Sequence, residues 1–588
     1  MATIRVFPQP WAARAAAKRE DTLNKIRAEW RLSTTDLVKA EKQRDLTGPF
    51  IQQFLHDDEI SIISKDSVQL VEDIKNAKLT AVQVTSAFCK TAAIAHQINN
   101  CLHEIFFDQA LERAAWLDDQ FSKNQSTVGP LHGLPISLKD QLHVKGVDTT
   151  MGYIGWIGRN FGSDPEQAHK IESQINTELL SLGAVLYCKT SLPQTLLFGE
   201  TKNNLVGETL NPNNQNLSAG GSSGGEGALQ ALRGSTLGLG TDIGGSVRIP
   251  AAFNGIYSLK PTPERLSYRA VANNNPGENT YRSTIGILST SLGGLNLLLQ
   301  ADLSCKPWLK DPSVVPIPFR EDVLKEYEAR ANPDGTANGT IPLKFGVLWT
   351  DGVVQPHPPI TRGLNMVVEA IRSAGHKIVD WNPPAQEVGR AIHLAFLKAD
   401  GAYDIHSQLN LSGEPLIPDL RKSFKLREPM NLLKYQDLTL QGLKYEADYS
   451  DYWNSTAEQD GQIVDAVIMP VAPHAAVIPG KYYHTGYTQV INLLNYSVVV
   501  IPVTKADRLI DTVDSSYEPL NDLDRMNWEA YDPEMYDGGP VGLQIIARKF
   551  EEEKVLSIAK IVVSAMETSK AGAKGTVTRE GNQIARGA

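Results

Sequence analysis

The chain has 588 residues, 41% of them hydrophobic and 21% charged, and these proportions are typical of a soluble globular protein. Its net charge of −10 excludes the positive field that attracts nucleic acid, so we expect no nucleic-acid partner. It contains no run of about 18 apolar residues, which excludes a predicted membrane span. No residues, the four cysteines included, have metal-ligand spacing, so we expect no metal, and nothing in the sequence implies an organic cofactor.

The N-terminal part of the chain predicts helices. MATIRVFPQPW lacks the apolar run of a signal peptide and, with reduced and widely spaced cysteines, favours a cytoplasmic protein. Residues 11–30 predict a surface helix rich in Ala, Lys, Arg and Glu, and residues 81–121 are again helical in pattern. We therefore expect a helical N-terminal arm over residues 1–79 and a large domain over residues 80–568.

Further along, short apolar runs alternate with helical stretches, which predicts strands that feed helices. The predicted strands are LPISL, GAVLYC, TLGLGT, IPLKFGVLW, HKIVDW, DAVIMPV and SVVVIPV. Residues 360–374 and 551–568 predict helices, residues 505–540 an acidic surface loop, and residues 569–588 a disordered tail. The sequence therefore predicts one large α/β domain rather than a string of small ones.

The segment LSAGGSSGGEGALQALRGSTLGLGTDIGGSVRIPAAFNG (217–255) places serines among many glycines. A flexible linker would not need the leucines and isoleucines interleaved there. Its G-x-G-x-x-x-G pattern is one residue longer than the dinucleotide-binding spacing. The G-x-S-x-G match at Ser223 resembles a nucleophile elbow, but a loop sequence precedes it where that elbow needs a strand.

The local chemistry of this segment favours a different arrangement. Ser223 and Glu226 have the spacing of a capping box, so a helix should begin near Gly224 with its positive end at Ser222 and Ser223. STLGLGTD then predicts a strand, and DIGGS predicts a tight loop whose backbone N–H groups converge as an oxyanion hole requires. Ser246 ends that loop.

A serine nucleophile needs a base, and no histidine lies in the segment. In LPISLKD, Ser137 and Lys139 alternate with apolar residues, so Lys139 would end a strand with its polar face toward a site. Burial can lower the pKa of a lysine from about 10.4 far enough for it to act as a base. From the pattern alone, an ordinary surface lysine is the alternative. His132 and His143 flank Lys139, and we expect them to be structural or exposed.

Several motifs, taken together and in order, resemble the amidase signature family. They are GLPISLKD (133–140), KTSLPQT (189–195), GGSSGGEGA (220–228), TDIGGSVR (241–248), PAAFNG (250–255), LKPT (259–262), DAVIMPVAP (465–473) and GGPVGLQII (538–546). The similarity spans roughly residues 80–565. TMGYIGW (150–156), PHPPITRG (356–363) and SGEPLIP (412–418) further resemble the fungal acetamidase-type branch.

The resemblance implies a single α/β domain in which a central mixed β-sheet lies between layers of helices. It implies a catalytic triad of Lys139 as base, Ser222 as bridging serine after a cis peptide bond, and Ser246 as nucleophile. It further implies an amide hydrolase that works through an acyl-enzyme and releases a carboxylic acid with ammonia or an amine.

The resemblance also implies which residues surround the substrate. Backbone N–H groups of Ile243, Gly244, Gly245 and Ser246 would form the oxyanion hole, with Ser223 close to the substrate. The flanking charges of Asp242 and Arg248 would either brace this loop by pairing or simply cap an adjacent strand or helix. We assign no catalytic role to Met151, Tyr153 and Trp156. Tyr482, Tyr483 and Tyr487 are undecided between cavity wall and packing.

The substrate itself is left open by the sequence. The leading prediction is an acetamidase-like enzyme acting on a small-molecule amide, and the alternatives are a biosynthetic, fatty-acid or aryl amide hydrolase of the same family. An amidotransferase subunit that delivers ammonia is less favoured because the chain is acidic. A non-catalytic scaffold is less favoured because all three triad positions are present. The oligomeric state is open too, with a homodimer among the options.

Overall fold

The computed structural model describes residues 10–159, 169–331, 341–457 and 460–584, with side chains up to residue 570. The first nine residues, for which we predict no signal peptide, lie outside these ranges. Within them, none of the helices combines the length and apolar content that a membrane crossing requires.

Most strands of the described chain join one large mixed sheet. The order across that sheet is β1-β3-β2-β6-β8-β7-β12-β13-β11-β9-β10, and β4 pairs only with β5. The strands are β1 (Leu102–Ile105), β2 (Pro135–Lys139), β3 (Val185–Thr190), β4 (Lys202–Asn203), β5 (Gly207–Glu208), β6 (Leu237–Asp242), β7 (Tyr257–Lys260), β8 (Thr284–Ser289), β9 (Lys344–Val347), β10 (Lys377–Asp380), β11 (Ala466–Pro470), β12 (Ser497–Lys505) and β13 (Pro540–Ala547).

Helices connect the strands and cover the sheet. They are α1 (Trp11–Asn24), α2 (Thr34–Lys42), α3 (Pro49–Gln52), α4 (Asp57–Ile63), α5 (Ser67–Lys75), α6 (Ala81–Asn99), α7 (Phe107–Asn124), α8 (Gln174–Ser181), α9 (Gly224–Ala231), α10 (Arg248–Asn254), α11 (Leu292–Ser304), α12 (Glu321–Glu328), α13 (Pro358–Ser373), α14 (Gln386–Leu397), α15 (Tyr403–Asn410), α16 (Leu432–Ser455), α17 (Gly486–Leu493), α18 (Asp522–Glu529), α19 (Pro533–Tyr536) and α20 (Glu552–Ile584).

Both faces of the sheet carry helices, and two neighbouring residues of β13 show this. A Cβ added to Gly542 would meet Ala252 of α10 at 2.6 Å, whereas one added to Gly363 of α13 would meet Val541 at 2.8 Å. Consecutive residues of a strand face opposite sides, so α10 and α13 lie on opposite faces. The sheet is therefore buried on both sides, which explains why β11 to β13 are almost continuously apolar. The predicted α/β fold class is confirmed.

The strand order brings the carboxyl ends of β2 and β6 together inside the sheet. These two strands are parallel neighbours, with Leu138 paired to Leu239. Their carboxyl ends carry Lys139 and Asp242. Ligands of open α/β sheets bind outside the carboxyl ends of such strands. The fold therefore places the predicted base beside the predicted oxyanion loop.

The N-terminal helices pack onto the domain through buried charge. Along α1, Ala15, Lys18 and Thr22 are buried, so this helix is less exposed than its composition predicts. Lys18 Nζ lies 2.6 Å from Glu104 Oε1 and 2.9 Å from Asp148 Oδ2. Burial opposes the charge of Lys18, but the two carboxylates raise its pKa above the ordinary value.

The described elements differ from the sequence prediction in several places. The strands β4, β5, β7, β8 and β13 are not among the predicted ones. The strand β1 interrupts the helical pattern of residues 81–121. The segment predicted as a surface loop contains α18 and α19, and the long helix α16 had no predicted counterpart. The closing helix is described as far as Ile584, past its predicted end near residue 568. The disordered tail over residues 569–588 stays a prediction.

Candidate active site

Lys139 ends β2 with its side chain fully buried. Its Nζ donates hydrogen bonds to Ser222 Oγ at 2.7 Å and to Thr241 Oγ1 at 3.0 Å. Thr241 Oγ1 in turn donates to Gln141 Oε1 at 2.5 Å. Burial lowers the pKa of Lys139 to about 7. The neutral amine, which is the form able to accept a proton, is therefore well populated near pH 7.

Ser222 lies beside Lys139, and the residue before it, Gly221, has no room for a side chain. The Gly221–Ser222 peptide bond is cis, in agreement with the resemblance. A Cβ on Gly221 would come within 2.7 Å of Phe198 O and 2.8 Å of Glu200 N and O, closer than side-chain carbons approach backbone atoms. The residues 198–200 therefore pack directly against the turn that presents Ser222.

A cavity of about 460 Å³ opens at this point, and Ser246 lies in its wall together with Gly221, Ile243 and Gly244. Ser246 is partly exposed, and its carbonyl accepts a hydrogen bond from Ser223 N–H at 3.0 Å. The rest of the wall comes from parts of the stretches 196–200, 394–398, 419–424 and 480–489, together with Ile249 and Met526, and leucine and aromatic side chains are prominent in it. The predicted nucleophile thus lies in the wall of a mostly apolar cavity.

The loop of residues 243–246 has all four of its carbonyl groups hydrogen-bonded. The carbonyls of Ile243 and Gly244 accept from His393 Nε2 at 2.8 Å and Thr488 Oγ1 at 2.7 Å. Those of Gly245 and Ser246 accept from backbone N–H groups at 2.8 Å and 3.0 Å. The N–H groups of Ile243, Gly244 and Ser246 meet no acceptor within the described residues, which is the state that an oxyanion hole requires.

Two residues predicted for the oxyanion and substrate site have other contacts in the structure. The N–H of Gly245 donates to Asp242 Oδ1 at 2.8 Å, so it is not available as an oxyanion donor. Ser223 is fully buried outside the cavity wall, and its N–H is already donated to Ser246 O. Its hydroxyl caps no helix, which contradicts the predicted capping box.

Glu226, the other half of that predicted capping box, belongs to the buried support of the site. Its carboxylate accepts hydrogen bonds from Ser137 Oγ at 2.7 Å and Thr190 Oγ1 at 3.0 Å. Burial raises the pKa of Glu226 to about 7. Glu226 thus links α9 to β2 and β3 instead of turning back to its own helix start.

Asp242 and Arg248 form the pair that the sequence left undecided. Arg248 Nε and Nη2 each lie 3.1 Å from an oxygen of the Asp242 carboxylate, and both side chains are fully buried. Asn492 Nδ2 donates to Asp242 Oδ1 at 2.8 Å, and Val247 N–H donates to Oδ2 at 3.1 Å. Burial opposes ionisation, but the Arg248 charge holds the pKa of Asp242 well below its usual range. The pair therefore braces the loop.

Of the remaining candidate residues, some line the cavity and others are buried outside its wall. Tyr482 and Tyr483 line the cavity, whereas Tyr487 is buried elsewhere and donates to Val354 O at 2.6 Å. Met151, Tyr153 and Trp156 belong to a buried apolar cluster. His132 and His143 lie outside the cavity wall, and burial lowers the pKa of each.

Sequence reasoning missed three polar residues around the site. His393 and Thr488 hold the oxyanion loop from α14 and α17. Glu200 lines the cavity, accepts from Gly480 N–H at 3.1 Å, and has its pKa raised to about 8 by burial. No local motif marks these residues, although Glu200 follows the KTSLPQT motif closely. In the described ranges, no group of three or more His, Cys, Asp or Glu side chains could hold a metal ion.

Known proteins similar to this chain are amidases. The family model "Amidase" matches residues 83–556. The chain is 41% identical to an acetamidase of Emericella nidulans, over 95% of this chain and 98% of that protein. It is 38% identical to amidase 1 of Gibberella moniliformis, over 90% and 98% of the two chains. A solved fatty acid amide hydrolase superposes with a TM-score of 0.85 at 30% identity, covering 95% of each chain.

A mixed sheet with this lysine, serine and glycine arrangement at the carboxyl ends of β2 and β6 defines an amidase-type hydrolase fold. The chain belongs to the amidase family and is an amide hydrolase. Both the predicted family and the predicted relation to fungal acetamidases are confirmed.

Proposed function

We propose that the protein is a serine amidohydrolase that cleaves the C–N bond of carboxamides through an acyl-enzyme on Ser246. The observation that supports this most strongly is the buried amine of Lys139, 2.7 Å from Ser222 Oγ. A buried amine with a pKa of about 7 can take up a proton at neutral pH, as the base of a serine nucleophile must.

The proposed reaction moves one proton along the triad. Neutral Lys139 accepts the hydroxyl proton of Ser222, which accepts the proton of Ser246, and Ser246 Oγ bonds to the amide carbon. The carbonyl oxygen becomes negative and faces the N–H groups of Ile243, Gly244 and Ser246. Ser222 then protonates the leaving nitrogen and recovers its own proton from Lys139 as the C–N bond breaks. Water hydrolyses the acyl-enzyme to the carboxylic acid and restores Ser246.

The test is a Ser246→Ala variant measured in two assays. Ammonia release from a substrate that the wild-type enzyme turns over should fall to background, while the far-ultraviolet circular dichroism stays unchanged. A serine-directed fluorophosphonate should label the wild-type protein and not the variant. Near-normal turnover by Ser246→Ala would show that another residue is the nucleophile.

For the substrate we propose a small or medium carboxamide, because fungal relatives at 41% identity are named acetamidases. The cavity favours a second candidate, an amide with a larger aliphatic or aryl acyl group of catabolic or biosynthetic origin. Its volume of about 460 Å³ lies in the range of about 300–1,000 Å³ that holds drug-sized ligands, whereas acetamide has only a few atoms. Ammonia release across acetamide, longer aliphatic, aryl and indolyl amides separates the two.

The proposal also covers location and assembly. We place the enzyme in the cytoplasm, with no nucleic-acid partner and with a reaction that uses no metal or organic cofactor. An amidotransferase subunit would instead need partner subunits and ATP, and a non-catalytic scaffold would resist the fluorophosphonate. Light scattering distinguishes a monomer from a homodimer.

A further inference from the structure

His393 contacts the oxyanion loop from outside the cavity. It is buried on α14, and its Nε2 lies 2.8 Å from the carbonyl oxygen of Ile243. A carbonyl oxygen only accepts hydrogen bonds, so Nε2 carries the proton in this contact. Nδ1 is buried and has no hydrogen-bond partner among the described residues. Burial lowers the pKa of His393 to about 4, so the ring is a neutral donor at neutral pH.

That one hydrogen bond determines the direction of a neighbouring N–H group. The carbonyl of Ile243 and the N–H of Gly244 belong to the same peptide unit, and in a trans peptide these two groups point in opposite directions. His393 lies outside the cavity wall, whereas Gly244 lines it. Drawing the carbonyl toward His393 therefore turns the Gly244 N–H toward the cavity.

The neighbouring peptide units do not duplicate this arrangement. The Gly244 carbonyl is held by Thr488 of α17, and the N–H of that peptide unit is the one that Gly245 donates to Asp242. The Gly245 carbonyl accepts from Ile249 N–H, which leaves the Ser246 N–H on the opposite side. The Gly244 N–H is thus one of the three loop N–H groups available to the oxyanion. The side chain that orients it, His393, comes from α14.

We propose that His393 is a positioning residue, which fixes the Gly244 N–H as an oxyanion donor through the carbonyl of Ile243. The inference rests on the proposed serine chemistry and adds to it a residue outside the triad and outside the cavity wall. It predicts that His393 acts on the transition state rather than on substrate binding, because oxyanion charge develops only during the reaction.

The experiment compares three substitutions at this position. His393→Leu removes the donor, His393→Asn shortens its reach, and His393→Gln returns an amide N–H near the position of Nε2. We expect kcat to fall about tenfold to a hundredfold in the first two, less than the 10²–10³ lost when an oxyanion donor is removed outright. KM should change little, the fluorophosphonate labelling rate should fall by a similar factor, and His393→Gln should recover most of both rates.

His357 provides a matched control. It is also buried with a pKa lowered to about 4, and its Nε2 lies 2.8 Å from a backbone carbonyl, that of Asn527. His357→Leu should lower the melting temperature about as much as His393→Leu and leave the kcat of the folded enzyme unchanged.

Two results would overturn the inference: a wild-type kcat in His393→Leu and His393→Asn, or an equal loss in the Asn and Gln variants. If Leu does not fold, the Asn and Gln pair still decides between these outcomes. Ser246→Ala, measured alongside, distinguishes a failure of the proposed chemistry from a failure of this inference. If that variant keeps its turnover, the serine chemistry fails; if it is inactive while His393→Leu is fully active, only the role of His393 fails.

Discussion

The proton acceptor proposed here is a lysine whose hydrogen-bond partners are hydroxyls rather than carboxylates. We predict that Lys139→Ala lowers kcat/KM by orders of magnitude, because Ser222 then has no base behind it. Lys145 is six residues further on and exposed, so Lys145→Ala should leave ammonia release unchanged. Equal effects of the two substitutions would remove the case for Lys139 as the base.

The pKa of Lys139 also predicts the pH dependence of the reaction. Burial lowers that pKa to about 7, so the amine is protonated and inactive as a base below this value. With a neutral amide substrate, kcat/KM should rise with pH through about 7 and then level off. A stopped assay of ammonia between pH 5 and pH 9 measures this limb. A flat profile through pH 7 would contradict the assignment of a titrating lysine.

Single residues of the site differ in how well the sequence predicts them. Lys139, Ser222 and Ser246 lie in motifs whose residue types reveal their chemistry, and the structure places Lys139 and Ser222 in contact. The sequence could not show that Gly245 donates its N–H to the Asp242 carboxylate. Nor could it show that Ser223 donates its N–H to the Ser246 carbonyl. His393 could not be found at all, since it reaches the loop from 150 positions along the chain.

At the level of elements, the loop between β6 and α10 depends on the buried pair of Asp242 and Arg248. We predict that Arg248→Met destabilises the protein by about 3–5 kcal/mol, because it leaves a buried carboxylate without its main partner. Urea unfolding measures this free energy.

The double variant Asp242→Asn with Arg248→Met tests whether the same pair supports catalysis. It removes both charges, but it also weakens the carboxylate contacts to the N–H groups of Gly245 and Val247. We therefore expect kcat to stay at least about tenfold below wild type even where stability partly recovers. Normal turnover in the double variant would reject the idea that the pair braces the loop.

Elements with a strong periodic pattern were predicted well. β2, β6, β11, β12, α9 and α13 lie where the sequence places them, within a few residues. The four-residue strand β1 lies between two long helices and is too short for a period to show. In α16, the leucines at positions 433, 440 and 443 are exposed, so apolar residues lie on both faces of the helix. The sequence therefore lacks the one-sided apolar pattern that predicts a helix.

For the whole molecule, the docking of α1 depends on Lys18. We predict that Lys18→Met destabilises the protein by about 3–5 kcal/mol, because Glu104 then stays buried with little compensating charge. Trypsin should cleave residues 11–24 faster in this variant than in the wild type, which limited proteolysis measures.

Lys25 supplies the control for this prediction. It also approaches Glu104, but at 3.8 Å and with a side chain that is 39% exposed, so Lys25→Met should cost no more than about 1 kcal/mol. A Lys18→Met variant as stable as Lys25→Met would show that α1 is held by its apolar contacts alone.

The origin of the cavity wall has a consequence for how such an enzyme diversifies. The reacting groups come from the ends of β2 and β6 and the turn before α9, whereas most of the cavity wall is built by parts of four remote stretches, 196–200, 394–398, 419–424 and 480–489. Mutations in the parts of these stretches that do not support the reacting groups can reshape the cavity while the chemistry stays intact. Grafting residues 419–424 from a related enzyme should therefore exchange acyl preference and leave Lys139, Ser222 and Ser246 in place.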